Sequence, residues 1–382
     1  MPTSKFNASA FLNTAGTIYA ASNDGFIDPQ TTQDMLMELA TSIAQDITGV
    51  SSAPEAPPPN KSILTRMEWA ELNNTRCRSL TRFGKPDIER MISALRLPTP
   101  FFRTKSRSKI PIEIAFCIIL ARLATPHRLV DLEDIFGYPR EVISETFNQL
   151  GSVIFDQWAK PLLTSWNDTL LTPSRLDLYA STIHSAGTPM DNIWGFMDVT
   201  YFIISRPGKY QEVAYTGYKH AHALKFNAVT TPDGLIAHCS LPVEGRRADA
   251  GVLAVSEFEK QMEEKAFGCG HHRRFVYSDP AYGLTDTIIS ASKKLPNLPV
   301  VSQLFYTRLS KSRVSVEWSF GKFKNLFGFL DYPRSQRLHL SPVGKWFLLG
   351  IFFTNLHTCL HSSVTSSFFC LNPPSLEEYL RL

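Results

Sequence analysis

The sequence predicts a mixed α/β domain over about 191–365, preceded by a helical region over 61–190 and a low-complexity tail over 1–60. Three observations predict it. From residue 61 to about 185, apolar residues recur at helical period. Near residue 190 the pattern changes to β-branched and aromatic runs. Beyond that point strands come first and then alternate with helices, the order of an α/β domain.

Residues 1–60 are rich in Ala, Ser and Thr and end in Ser51-Ser-Ala-Pro-Glu-Ala-Pro-Pro-Pro-Asn60. That is a linker composition, so the segment reads as a flexible tail. Within it, Met35, Leu36, Leu39 and Ile43 allow a short helix from Gln33 to Ile47. Pro111 to Leu123 reads as an apolar helix and Leu129 to Phe136 as a short one. Gly137 breaks the pattern, Pro139 suits a first turn, and Glu141 to Trp158 resumes through Val142, Ile143, Phe147, Leu150 and Ile154. Helix, short helix, glycine turn, longer helix is the outline of a helix-turn-helix, and also of plain helical packing. The region is therefore a candidate for DNA binding or dimerisation.

Ile193 to Ile204 reads as a strand. Ala223 to Thr230 and Leu235 to Pro242 flank Thr231-Pro-Asp-Gly234, which is hairpin turn chemistry. Asp249 to Lys265 reads as helix, Arg274 to Ser278 as strand, and Leu284 to Lys294 and Arg313 to Leu326 as helices. Residues 366–382 read as a C-terminal tail.

With 43% hydrophobic and 19% charged residues among 382, the chain as a whole is not disordered. The longest strongly apolar run, Trp346 to Phe353, falls well short of the ~20 residues that span a membrane. Met1 to Ala20 lacks a basic stretch followed by an apolar block, so no secretory signal is expected. None of the six cysteines forms a Cys-x-x-Cys pair. That argues against a zinc framework and for a reducing compartment, cytosol or nucleus. His357-Thr-Cys-Leu-His361 and Cys269-Gly-His-His272 read as packing and loop rather than as metal sites.

Net charge is +4, from 39 basic and 35 acidic residues. Residues 1–60 hold one basic and six acidic residues, −5, so the remainder carries +9. The excess concentrates in 61–109, with twelve Lys/Arg against four Asp/Glu, and in 301–350, with eight against two. Basic segments of this kind suit a polyanion partner.

Three carboxylates stand where apolar residues are expected. Asp198 sits inside Trp194-Gly-Phe-Met-Asp-Val-Thr-Tyr-Phe-Ile-Ile204, and strand alternation puts it with Trp194, Phe196 and Phe202, the other reading being a bend at Asp198-Val199-Thr200 that exposes it. Asp279 ends the strand Phe275-Val-Tyr-Ser278, where open α/β sheets place ligand-binding groups, though Asp before Pro is also turn chemistry. Glu317 falls in Arg313-Val-Ser-Val-Glu-Trp-Ser-Phe-Gly-Lys-Phe-Lys324, in a row with Val314, Phe320 and Gly321, so it reads as pointing inward. The other reading is an exposed Arg313–Glu317 pair at i, i+4. Three converging carboxylates would suit Mg²⁺ or Mn²⁺, and two such ions support phosphodiester cleavage.

Five segments in order resemble the PIF/Harbinger transposases of the DDE superfamily. They are Gly195-Phe-Met-Asp-Val-Thr200; Tyr215-Thr-Gly-Tyr-Lys-His220 with His222 to Ile236; Pro242-Val-Glu-Gly-Arg-Arg-Ala-Asp249; Ser278-Asp-Pro-Ala-Tyr282; and Arg313 to Lys322. The resemblance implies an RNase H-like fold, with Asp198, Asp279 and Glu317 as catalytic, metal-binding residues. It also implies DNA cleavage and strand transfer at transposon ends, a nuclear setting, and a separate Myb/SANT-like accessory protein; a homo-oligomer is expected as well. A non-cleaving, domesticated DNA- or chromatin-binding descendant on the same fold is the alternative. The sequence departs from the family at Val199, where glycine is usual, and at Ser278 to Gly283, where Gly-Asp-x-Gly-Tyr-Pro is frequent. Asp249 reads as a helix N-cap before Ala250-Gly-Val-Leu253, a fourth acidic ligand being the other reading. If the carboxylates converge, Lys219, His220, Lys225, Arg246, Arg247, Lys311, Arg313, Lys322 and Lys324 would ring them and grip phosphates.

Overall fold

Asn73 opens the first described helix, α1 (Asn74–Thr81), where its side chain accepts the Arg76 N–H. The computed structural model describes residues 65–290 and 299–381. The tail expected over 1–60 and its short helix lie outside them. Pro86 in the first turn of α2 (Lys85–Ala94) follows the usual place for proline. A hairpin then interrupts the helical region: β1 (Phe101–Arg103) pairs antiparallel with β2 (Lys109–Pro111), burying Phe102 and Ile110. Helical periodicity does not reveal two strands of three residues each.

α3 (Ile112–Ala124) is buried over nearly its whole surface, as its uninterrupted apolar run requires. α4 (Leu129–Phe136) ends at Gly137, whose φ of 71° is the left-handed C-cap conformation. Pro139 stands just before α5 (Arg140–Ile154), as its N-cap rather than in its first turn. The chain continues through one π-helical turn, Phe155–Ala159, into α6 (Lys160–Leu163). α7 (Pro173–Ser185), capped by Thr172, leads to the sheet.

The sheet is built around β3 (Ile193–Ile203). α8 (Gln211–Ala214) and β4 (Tyr215–Thr216) precede β5 (Ala221–Thr230), which pairs antiparallel with β3, β4, β6 (Ile236–Cys239) and β7 (Val243–Glu244). α9 (Asp249–Ser256) and α10 (Phe258–Lys265) replace the single helix expected over 249–265. Glu257 between them is left-handed, at φ 53°, and breaks the run. β8 (Phe275–Ser278) then pairs parallel with β3 on its other side, and β9 (Ile288–Ser290) pairs parallel with β8. Of the helix expected over 284–294, residues 284–287 are loop and 288–290 are strand. Ile288 and Ile289 complete the sheet there, and residues 291–294 lie outside the described part. The order β4-β5-β3-β8-β9, with antiparallel strands on one side of β3 and parallel ones on the other, is an RNase H-like mixed sheet.

Two helices dominate the rest. α11 (Val300–Leu326) sends Leu309 and Val316 into a small core with Ile183, Ile193, Phe196, Tyr277 and Phe369. α12 (Val343–His361) is apolar on all sides and buried in the main core, where Phe347 stacks 4.0 Å from Phe226 and lies 5.0 Å from Phe202. No helix among the described residues is long and apolar enough to cross a membrane. Residues 366–381, within the segment read as a tail, are packed. They end α13 (Val364–Phe368) and contain α14 (Leu376–Tyr379), and Tyr379 is buried, its hydroxyl accepting from Asn355.

Candidate functional site

The first carboxylate depends on a strand too apolar to leave the sheet centre. β3 is buried at Ile193 through Met197, which holds Asp198 in register opposite Ala228 of β5. The alternation expected from sequence holds for Phe196 but not for Trp194. A register shift between Ile193 and Gly195 turns Trp194 to the other side, where its ring meets Trp166, while Phe196 stacks on Phe369.

β8 supplies the second carboxylate. Phe196 is paired with Tyr277. Two residues further along both parallel strands are Asp198 and Asp279, which therefore sit side by side where β8 ends. Asp279 also does its turn chemistry: its Oδ1 accepts the Ala281 N–H at 2.9 Å. The turn reading of that residue holds.

α11 delivers not the third carboxylate but a cation. The Arg313 guanidinium Nη1 lies 3.4 Å from Asp198 Oδ2, with both side chains about three-quarters buried, at 25% and 27% exposure. Asp198 Oδ1 accepts the Val199 N–H at 2.9 Å. Burial nevertheless dominates, pushing the Asp198 carboxyl up to about 6; Arg313 opposes the shift, and the charges of Asp279 and Asp249 add to it.

Glu317 is exposed, one turn beyond Arg313. The expected inward row was one step out of phase: Val316 is the buried residue, and Val314 is exposed. Space around Gly321 is open, so nothing approaches closely there. Glu317 lines a cavity of about 520 Å³ with Trp318, Lys322 and His357. Among the described residues no group of three His, Cys, Asp or Glu is gathered as for a metal ion.

Two further residues join the aspartates. Asp249 is not an N-cap: Ala248 holds that position, and the Asp249 carboxylate pairs with Lys225 Nζ at 2.9 Å. Tyr282 is buried and donates to Asn227 Oδ1 at 2.8 Å. Its hydroxyl is held well above the usual tyrosine range by burial first, then by the charges of Asp198, Asp249 and Asp279. The sequence signal for Tyr282 was its place three residues after Asp279.

The expected ring of cations divides. Lys219 and His220 are exposed in the turn before β5, and Arg246 and Lys311 are exposed as well. Lys225 is not available to phosphate: its side chain is 6% exposed, and it donates to Asp249 and, at 2.6 Å, to the Arg247 carbonyl. Arg247 pairs with Glu244, and Lys324 pairs with Asp331 at 3.4 Å. Lys322 turns toward α12, donating to Thr358 Oγ1 at 2.9 Å and Ser362 O at 2.7 Å. Burial pulls its ammonium down to about 8. His361, of the His357–His361 pair, bonds Asp87 Oδ2 at 3.0 Å.

No curated protein and no solved structure matches the chain. Residues 197–355, from the residue before Asp198 through the middle of α12, match the family model described as DDE superfamily endonuclease, and this part of the chain is similar to that superfamily.

Proposed function

We propose that the protein is a divalent-metal-dependent DNA endonuclease of the PIF/Harbinger transposase type, cutting phosphodiester bonds at transposon ends and joining the 3′-hydroxyl to target DNA. The observation that carries the reading is the placing of Asp198, in the middle of β3, near Asp279, just past the end of the neighbouring parallel strand β8, inside the segment that matches the DDE superfamily model. The donor set fits a hard cation. It consists of carboxylate oxygens, and one of them already holds a positive group in the Arg313 guanidinium.

Asp198 and Asp279 would hold Mg²⁺ or Mn²⁺, with Glu317 as the third carboxylate that the resemblance assigns. When bound, a pair of such ions supplies the charge that activates water and stabilises the leaving oxygen. The chain's own residues prepare that site. Burial keeps Asp198 poorly hydrated, so its carboxylate favours a cation over water. The Asp279 turn bond to Ala281 fixes one oxygen and leaves the other free to coordinate. Tyr282, buried and bonded to Asn227, stands close enough to the aspartates to feel their charges. Lys219, His220, Arg246 and Lys311 would contact phosphates, and the helical residues before 190 would bind DNA or pair subunits. A nuclear setting, a homo-oligomer and a Myb/SANT-like accessory protein belong to the same reading.

A second reading is a non-cleaving DNA- or chromatin-binding descendant. One observation favours it: Arg313 occupies Asp198 while Glu317 stands apart and exposed. Nicking of supercoiled plasmid in Mn²⁺ separates the two. Wild type is expected to nick, and Asp198→Asn and Glu317→Ala to fail. DNA binding without nicking by wild type would establish the second reading.

A further inference from the structure

Off the end of the strand that carries Asp198 lies a small cluster of aromatic and cationic side chains that the cleavage chemistry does not use. Tyr215 and His222 face each other across the β4–β5 pair, with rings 5.6 Å apart edge to face. In the turn between these strands Tyr218 is 75% exposed, and Tyr215 is 40% exposed. The Lys219 ammonium lies 4.6 Å from the Tyr218 ring centre and 5.7 Å from that of Tyr201. Tyr201 follows Asp198 by three residues, about 10 Å along β3.

The cluster is built into the fold. At Gly245 a Cβ would meet the Ala214 carbonyl oxygen at 2.4 Å and that of Ala223 at 2.6 Å, so a side chain is excluded there. This close approach lets the Arg246 N–H donate to the Val213 carbonyl at 3.1 Å. Arg246 thereby borders an open cleft of about 480 Å³ together with Tyr215 and His222.

Exposed aromatic faces interleaved with cations suit one chemistry above others. Unpaired bases stack on the rings, and their phosphates meet the ammonium and guanidinium. Paired bases, already stacked on one another, cannot use the rings. We infer that Tyr215, Tyr218 and His222, with Lys219 and Arg246, form a platform for unpaired nucleotides of single-stranded DNA, next to the strand cut at Asp198. The inference rests on the endonuclease reading and adds to it a preference for locally melted DNA.

The test is fluorescence anisotropy with the full-length chain in EDTA, so that no cleavage intervenes. The probes are a single-stranded oligonucleotide and the same backbone carrying an abasic tract. Wild type is expected to bind the base-containing strand about tenfold or more tighter. Tyr215→Ala with Tyr218→Ala should abolish that preference while keeping salt-dependent binding. Lys219→Ala with Arg246→Ala should weaken both probes and flatten the salt dependence. The tyrosines are exposed, so their removal leaves the core intact. Equal binding of both probes by wild type, or a preference surviving the tyrosine changes, overturns the platform; if such a protein still nicks plasmid, the endonuclease reading stands without it. Binding to neither probe by wild type also overturns the platform, and plasmid nicking then decides the endonuclease reading alone.

Discussion

Arg313 of α11 holds Asp198 of β3, Nη1 to Oδ2 at 3.4 Å, across 115 residues of sequence. The guanidinium stands where the proposed function needs a metal ion. A cation that binds Asp198 must therefore displace Arg313 or share the carboxylate with it.

Arg313→Gln is accordingly expected to raise Mn²⁺ affinity several-fold, read from the free-ion electron paramagnetic resonance signal. Without metal the same change strands a partly buried carboxylate. It should lower stability by about 1–3 kcal/mol in urea unfolding. Unchanged Mn²⁺ affinity would show that Arg313 does not compete for the site.

Asp198→Asn should move stability the other way. Burial pushes the Asp198 carboxyl up to about 6 even with Arg313 beside it, so the ionised form burdens the fold at neutral pH. The amide removes that burden. In metal-free buffer at pH 7.5 the variant should resist urea better than wild type, by roughly 1–3 kcal/mol. A less stable variant would mean that the Arg313 pair outweighs the desolvation.

Glu317→Ala should leave stability within about 0.5 kcal/mol of wild type, because the side chain is exposed. Any loss of plasmid nicking in this variant therefore reports chemistry and not unfolding. Thermal melts of both proteins check the first half.

His238 gives the fold a pH dependence. Its imidazole is buried in β6, stacked 3.6 Å from the Phe258 ring centre, and burial pulls it down to about 3. The unfolded chain takes up this proton near 6.5 and the folded chain only near 3. Stability is thus fully present above about 6.5 and falls as pH drops toward 3, by up to several kcal/mol. His238→Gln should flatten that limb of the stability–pH curve. An unaltered slope between pH 6.5 and 4 would assign the acid sensitivity to other groups.

Gly137→Ala should destabilise the helical region by about 1–3 kcal/mol or more. Its φ is 71°, and an added Cβ would stand 2.1 Å from the Thr65 carbonyl oxygen. Loss of far-ultraviolet helical signal at lower urea than wild type is the measurement. Equal midpoints would mean that residues 65–66 yield at little cost.

Much of this architecture was legible before folding, wherever a local pattern decides it. The apolar run of α3, the short α4 ended by Gly137, and the Thr231–Gly234 turn between β5 and β6 each follow from spacing and backbone preference within a dozen residues. Asp198 and Asp279 were legible for the same reason: each is a charge inside or at the end of an apolar strand. The misses arose where a distant partner overrides the local pattern. Ile288 and Ile289 lie in a stretch of helical pattern, but the open edge of β8 takes them as a strand. One inserted residue near Gly195 reverses Trp194.

The sequence by itself determined the mixed α/β class, the strand that carries Asp198 and the strand end that carries Asp279. Only the tertiary structure decided their company. The phase of α11 is set by Leu309 and Val316 seeking the small core, and that rotation brings Arg313, not Glu317, to Asp198. Lys225 goes to Asp249 because a buried ammonium must find its counter-charge, whatever surface its neighbours suggest. Helical and strand periods are local properties. Ion-pair choice and helix rotation are settled by the lowest free energy of the whole packed core, which no local window contains.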